Sequence, residues 1–438
     1  MSLHSQTPDS SPLLSPKVAT LDEHLSALMS YISPLQTKTV RSAELTQASS
    51  LTHLAEDITT RIPVPVFSNS GVDGFLVRDA DLSGAGPWIF PVAGDIPAGA
   101  APLVVPPGQA IRIMTGAPVG ENTSGLRVIP VELTDAADYP TDSILPAQVT
   151  VHSFVPARRN IRHRGEHLNI GDIAVSAGTR VDAGTIATLL SVGATLVKIH
   201  RVPKVAVVTT GDELSQDAAR PWSIPNSNGA MAARLLYELG ITKVIHRHLP
   251  DQIADFSTEM TQLAAKVDLI ITMGGISAGA YDVVRMAGQT QGTVYFGHVN
   301  MSPGKPQGYG KWDETPVICL PGNPVASWVS IALFVAPALR HLAGAKAAKS
   351  LSELPIIQLE APTSWQPRAR RWQAIPVKID WQNNKCLAPQ QRRSHMIAST
   401  INCDGLALIP PAEAANTTPP LDNTGNSWQV AVIPLHKF

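Results

Sequence analysis

The side chains with the clearest chemical potential lie between Asp268 and Gly310, in the stretch DLIITMGGISAGAYDVVRMAGQTQGTVYFGHVNMSPGKPQGYG. The apolar run Leu269-Ile270-Ile271 ends at Gly274-Gly275; Ser277 and Gly279 follow, and then the carboxylate of Asp282. A buried strand that stops at a Gly-Gly turn before a helix leaves backbone N–H groups free at the turn. Those donors, with the positive end of the helix dipole, suit a phosphate or another oxyanion. Farther on, Pro303 and Pro306 stiffen a loop, Pro303-Gly304-Lys305-Pro306, that presents a single ammonium. Two more turns, Thr210-Gly211-Asp212-Glu213 and Pro321-Gly322-Asn323-Pro324, also follow apolar runs. A hard dication such as Mg²⁺ takes one or two carboxylates plus ligand phosphates. Asp212, Glu213 and Asp282 can supply the carboxylates, while Lys305 and the Gly275-Ile276-Ser277 backbone can hold oxyanions. The pattern points to a phosphorylated, metal-assisted ligand.

Two earlier polar clusters are candidates for an opposite wall. Ser68 to Gly74 contains Asp73, and Met114 to Pro118 contains the Thr115 hydroxyl; turn chemistry alone also accounts for both. Arg162, Arg164, Glu166 and His167 crowd a polar loop in NIRHRGEHLNIG. Neither G-x-G-x-x-G nor G-x-x-x-x-G-K-[ST] occurs, nor does a G-x-S-x-G elbow or an H-E-x-x-H run. His246 and His248 alternate in an apolar run and read as packing residues rather than metal ligands.

The elements that must position these residues differ along the chain. Val18 to Tyr31 has helical spacing of Leu21, Leu25, Leu28 and Met29, and a second helix is expected near Ser42 to Ala48. From about Arg61 to Pro156, short β-type runs broken by Gly and Pro predict a β-rich unit, a barrel or sandwich. A helix over Asp182 to Val192, capped by Asp182, comes next. From Val202 to about Gly344 strand and helix alternate, with a helix after Asn226 to Asn228 that ends at Gly240 and another near Ser257 to Lys266. Such alternation predicts a parallel sheet covered on both faces, with ligands beyond the carboxyl ends of its strands. The three turns should therefore converge on one cleft. Residues from about Leu351 return to β texture, as a small terminal β domain.

A chain of 438 residues, 44% hydrophobic and 16% charged, fits three or four domain-sized units. Its formal net charge of −1 gives no global field to attract nucleic acid or an anionic membrane, so an anion site must be local. Cys319, Cys386 and Cys403 lie far apart and form no disulfide framework or zinc cluster, which fits a reducing cytoplasm. The Ser/Pro-rich residues 1–17 read as a disordered tail without the pattern of a secretory signal. The apolar run Val325 to Leu342 carries Ser327, Ser330, Pro337 and Arg340, and reads as a buried packing helix rather than a membrane span.

Nine stretches taken together resemble the MoeA molybdopterin molybdenumtransferase family, which includes the E domain of the scaffold protein gephyrin. They are NSGVDGF (69–75), RIMTGAP (112–118), RGEH (164–167), TGDEL (210–214), NSNGAMAARLL (226–236), MGGISAGAYD (273–282), PGKPQG (303–308), LPGNPVAS (320–327) and SHMIASTINCDGLALIP (394–410). The resemblance implies an elongated homodimer with four subdomains per chain: residues 18–60 with 157–200, the inserted β-rich 61–156, the α/β molybdopterin-binding 201–348, and a β barrel over 349–438. It implies insertion of molybdate into adenylylated molybdopterin with Mg²⁺, giving molybdenum cofactor and AMP. Glu213 and Asp282 would position the metal or phosphates, and Lys305 would meet anionic oxygens. Ser277, Gly279 and the Gly274-Gly275 turn would cradle the ligand, with Thr210, Gly211, Asp212, Pro303, Gly304, Gly322 and Asn323 beside them. Asp73 and Thr115 would come from the partner subunit. The sequence departs from the family pattern at His167, at Leu126 with its preceding Ser124-Gly125, at Ala280 and at Ser302, where charged residues are usual. A second reading follows from gephyrin: a scaffold dimer with a degenerate site, linking a tubulin-like division polymer to a membrane receptor tail through the last two subdomains.

Overall fold

The computed structural model describes residues 18–136, 144–215, 220–276, 282–362, 364–389, 393–412 and 428–435. The expected tail over 1–17, and Ser277, Gly279 and Ala280, lie outside them. The chain forms two compact units, one of Met1–Lys38, Gln47–Ala55 and Lys198–Phe438, the other of Thr39–Thr46 and Glu56–Val197.

Helix α1 (Leu21–Met29) belongs to the larger unit and buries Leu21, Leu25, Leu28 and Met29 on one face. Its start is fixed by a reciprocal box: Glu23 N–H donates to Thr20 Oγ1 (3.1 Å) and Thr20 N–H to Glu23 Oε2 (2.8 Å). The expected second helix is a 3₁₀ segment, Ser42–Gln47.

The smaller unit is built on β1 (Gly74–Arg78), β2 (Trp88–Ile96), β3 (Ala110–Ile113), β4 (Leu126–Pro130) and β5 (Gln148–Val151). Among the described residues these make one open sheet in the order β4-β1-β3-β2-β5, where a barrel or sandwich was expected. Both of its faces are covered. Phe75 and Val77 enter one apolar cluster and Leu76 the other, so β1 is apolar at consecutive positions and shows no alternation. Helix α2 (Ala183–Ser191) starts at Asp182, whose carboxylate accepts from Thr185 N–H at 2.9 Å.

The larger unit continues with β6 (Val205–Thr210), α3 (Ser227–Glu238), β7 (Val244–Leu249), α4 (Ile253–Ala264), β8 (Leu269–Met273), α5 (Val283–Thr290), β9 (Thr293–His298), β10 (Pro306–Trp312) and β11 (Thr315–Leu320). The sheet order is β7-β6-β8-β11-β10-β9. Strands β7, β6, β8 and β11 pair in parallel, while β10 pairs antiparallel with both β11 and β9 and alone runs against the rest, so the expected all-parallel sheet is mixed. The reason is local. Only Asp313 and Glu314 connect β10 to β11, a hairpin length that forces antiparallel pairing, and Asp313 takes the turn at φ 50°. Helix α4 begins four residues before the expected Ser257, because Ile253, Phe256, Met260 and Leu263 already carry the helical spacing. Val205, Val207, Leu269 and Ile271 pack on one face of the sheet, and Ala206, Val208 and Ile270 on the other.

A helical run from Pro324 to Leu342 follows, with Ile331–Val335 wound as a π segment just before Pro337. The run is long and apolar enough to cross a membrane, yet 89% of it is buried within the protein. The chain then forms β12 (Ile357–Ala361), β13 (Trp372–Asp380), β14 (Lys385–Leu387), β15 (Gly405–Ile409) and β16 (Trp428–Pro434). Their order β13-β14-β12-β16-β15 closes by pairing β15 back to β13, which makes a five-stranded barrel. The two-residue strand Met301–Ser302 pairs in parallel with Trp372 and Gln373, tying the barrel to the α/β layer.

Candidate functional site

Strands β6 and β8 lie side by side, with later strands continuing in opposite directions across the sheet, so their carboxyl ends open a crevice. Three glycine turns pack together there. A Cβ on Gly274 would lie 3.0 Å from the Thr210 carbonyl oxygen, one on Gly275 3.0 Å from Thr210 Oγ1, and one on Gly322 3.5 Å from the Gly274 Cα. Gly274 N–H also donates to the Leu320 carbonyl at 3.1 Å. Gly274 and Gly275 sit at φ 99° and 63°, the left-handed region that glycine enters freely. Side chains at these positions would fill the floor of the crevice.

Around this floor is a cleft of about 1730 Å³, walled on one side by the α/β layer and on the other by the barrel. Of the residues singled out from sequence, Thr210, Gly211, Glu213, Gly274, Gly275, Asp282, Pro303, Gly304, Lys305, Gly322 and Asn323 all line it. Asp212 is one step behind the wall. Its N–H donates to Asp251 and the Asp251 N–H donates back to Asp212, both at 3.3 Å. The Glu213 carboxylate folds over Gly211, within 2.6 Å of where a Cβ on that glycine would sit. Any side chain at position 211 would displace the acid.

Asp251 was not anticipated. It lines the cleft at the end of β7, and burial above all holds its carboxyl above the usual carboxylate range. The Asp212 N–H opposes that shift, while the charges of Asp212, Glu213 and Asp282 add to it. The acids therefore share one negative field that a cation would relieve. No group of three or more His, Cys, Asp or Glu among the described residues forms a ready-made metal cage. A Mg²⁺ site of one or two carboxylates completed by ligand phosphates needs none, so Glu213 and Asp282 fit that role.

Several further lining residues carry polar chemistry. Asn226 caps α3, accepting from Gly229 N–H at 3.3 Å, and donates to Thr209 Oγ1 at 2.7 Å. Asn228 donates to the Gly322 carbonyl at 2.7 Å, tying α3 to the third turn. Among the described residues Thr210 Oγ1 is buried without a hydrogen-bond partner, an orphan that a bound ligand can satisfy. From the barrel side come Arg368, Arg393, Ser394 and His395, so cationic groups face the acids across the cleft. The sequence motif over 394–410 held the last two; Arg368 had no local signal. Ser302, where a lysine is usual, lines the same wall. His246 and His248 lie on the edge strand β7, His246 against Gly229 and both near Thr209 Oγ1.

Asp73 and Thr115 are brought together in the smaller unit. Thr115 donates to Asp73 Oδ1 twice, from its N–H at 2.6 Å and its hydroxyl at 2.7 Å. A Cβ on Gly74 would fall 1.9 Å from the Ile129 carbonyl oxygen, so the residue after Asp73 must be glycine. Asn69 and Ser70 pair with Arg162 and Ile161, which joins the two polar stretches of that unit. Leu126 enters β4, and His167 donates its N–H to the Val64 carbonyl at 3.0 Å.

Fold and cleft define the class: an α/β layer with a glycine-floored, acid-lined crevice, joined to a small barrel. Residues 206–341 match the family described as a probable molybdopterin binding domain, and residues 19–193 match the MoeA N-terminal region, domains I and II. The chain is 38% identical over 313 residues to molybdopterin molybdenumtransferase 2 of Mycobacterium tuberculosis, covering 68% of this chain and 74% of that one. It is 33% identical to the molybdopterin molybdenumtransferase of Staphylococcus epidermidis, over 70% of this chain and 73% of the relative. The crystal structure of a molybdopterin biosynthesis moeA protein from Pyrococcus horikoshii superposes with a TM-score of 0.74 at 22% identity, covering 95% and 99% of the two chains. The chain belongs to the MoeA family.

Proposed function

We propose that this protein is a molybdopterin molybdenumtransferase, inserting molybdate into adenylylated molybdopterin with release of AMP. The observation that carries the reading is the convergence of three glycine turns, with carboxylates and an ammonium, on one cleft. The Gly275 backbone N–H binds a phosphate, the Gly274 N–H being held by the Leu320 carbonyl, and Thr210 Oγ1 gives a further donor. Glu213 and Asp282 would hold Mg²⁺, which would supply positive charge to offset that of the pyrophosphate link. Lys305 and the arginines of the barrel side hold the tetrahedral molybdate oxyanion. A second copy of the chain supplies Asp73 and Thr115, already joined to each other, to the far wall. The reaction runs in the cytoplasm, where three unpaired cysteines stay reduced.

The relatives named above are transferases, and nothing in the site favours the scaffold reading with its division polymer and receptor tail. The test is incubation of purified protein with adenylylated molybdopterin, molybdate and Mg²⁺. Molybdate-dependent AMP release, with restored nitrate reductase activity in a cofactor-deficient strain, is expected. A folded protein that releases no AMP and restores nothing would overturn the reading.

A further inference from the structure

The loop that presents Lys305 has no regular structure of its own between Ser302 and Pro306. Gly304 adopts φ 99°, and a Cβ there would meet Met301 Cε at 3.0 Å and Gln307 Nε2 at 3.2 Å. Gln307, at the start of β10, is 1% exposed. Its amide donates both hydrogens, one to the Gly304 carbonyl at 2.8 Å and one to Ser330 Oγ at 2.7 Å. The orientation of the amide is forced, because a carbonyl can only accept. Ser330 passes its own hydrogen on to the Ala326 carbonyl at 2.8 Å. Ala326 and Ser330 belong to the helix that grows out of Pro321-Gly322-Asn323-Pro324, and Ser327 of that helix donates back to the Pro321 carbonyl. One buried side chain therefore fixes the lysine loop against the element that carries the third glycine turn.

We propose that Gln307 is a positioning residue for Lys305. It acts by clamping the Gly304 carbonyl, so that the neighbouring ammonium is held at the place of the molybdate oxyanion. With serine at position 302, Lys305 carries the only ammonium of this loop, which leaves its placement to that clamp. The inference rests on Lys305 meeting molybdate, as proposed above.

The test is a double-mutant cycle on the full-length protein, read as molybdate affinity by titration calorimetry. Gln307→Met keeps the length of the side chain and removes both donors, and should weaken molybdate about tenfold. Lys305→Ala should weaken it at least as much, and the double variant should be no weaker than Lys305→Ala alone. A role confined to general packing would keep the Gln307→Met loss in the Lys305→Ala background. Gln307→Glu adds a pH signature. Its buried carboxyl has a raised pKa, and only the protonated form can donate to the Gly304 carbonyl. Molybdate affinity of that variant should recover towards wild type as pH falls, and that of Gln307→Met should not. Should Gln307→Met fail to fold, Ser330→Ala opens the clamp from its other end and enters the same cycle. Wild-type affinity in Gln307→Met, or an undiminished loss without Lys305, overturns the inference alone. A wild-type protein that binds no molybdate overturns the oxyanion assignment and the inference together.

Discussion

At the scale of single residues, the floor of the cleft is set by glycines at which an added Cβ would press on neighbouring atoms. Gly274 is the sharpest case. Glycines after an apolar run announced a tight strand end, and the structure adds that a Cβ would press on the Thr210 carbonyl at 3.0 Å. Gly274→Ala should lower AMP release at least about tenfold through a φ that alanine resists, with circular dichroism unchanged. Asp251 was illegible, because its meaning comes from acids 31 to 39 positions away that only the folded sheet brings near. His24 was equally hidden. It lies in α1, packed edge-on against the rings of Tyr309 and Phe334 at 5.1 and 4.6 Å, and its Nε2 has no partner among the described residues. Burial pushes its pKa from 6.5 down to about 3. The unfolded chain takes up that proton below about pH 6.5 and the folded one does not. His24 therefore favours the fold fully above that pH, and the benefit drains away as pH falls towards 3. At pH 5 the loss is about 2 kcal/mol relative to pH 7, from ~1.4 kcal/mol per pH unit. Unfolding free energies from urea titrations at pH 7 and 5 should differ by that amount more in the wild type than in His24→Met.

Elements were easier to recognise than to orient. Apolar runs bounded by glycine located β6, β8 and β11, and caps located α2 and α3, because those signals are local. Strand direction is not a property of the run itself. The two-residue link at Asp313-Glu314 was the available sign that β10 and β11 run oppositely. The start of α4 was missed for a related reason: Gln252 offers no side-chain cap, so only the apolar spacing marks the entry. Where a cap is present, it should be measurable. Asp182→Ala removes the acceptor for Thr185 N–H and should cost about 1 kcal/mol in urea unfolding. The rate of AMP release by the folded variant should stay at the wild-type value.

For the whole molecule, the cleft in the larger unit and the Asp73–Thr115 pair in the smaller one make a direct test of shared sites. If two copies build each site together, Glu213→Ala and Asp73→Ala proteins should each be inactive alone. Mixed after partial unfolding and refolding, they should recover about a quarter of wild-type activity, since half the dimers are mixed and each holds one intact site. Activity that stays at zero in verified mixed dimers would mean that the partner copy does not supply Asp73. Connectivity between distant parts of the chain was the least visible layer in the sequence, and its effect is clearest at Met301–Ser302, which runs beside Trp372–Gln373 of the barrel. That seam makes the terminal β module a brace for the lysine-bearing segment rather than an appendage. Trimming the gene after the last α/β helix would therefore not yield a miniature catalyst: the shortened chain would lose its grip on its own ammonium before losing its sheet.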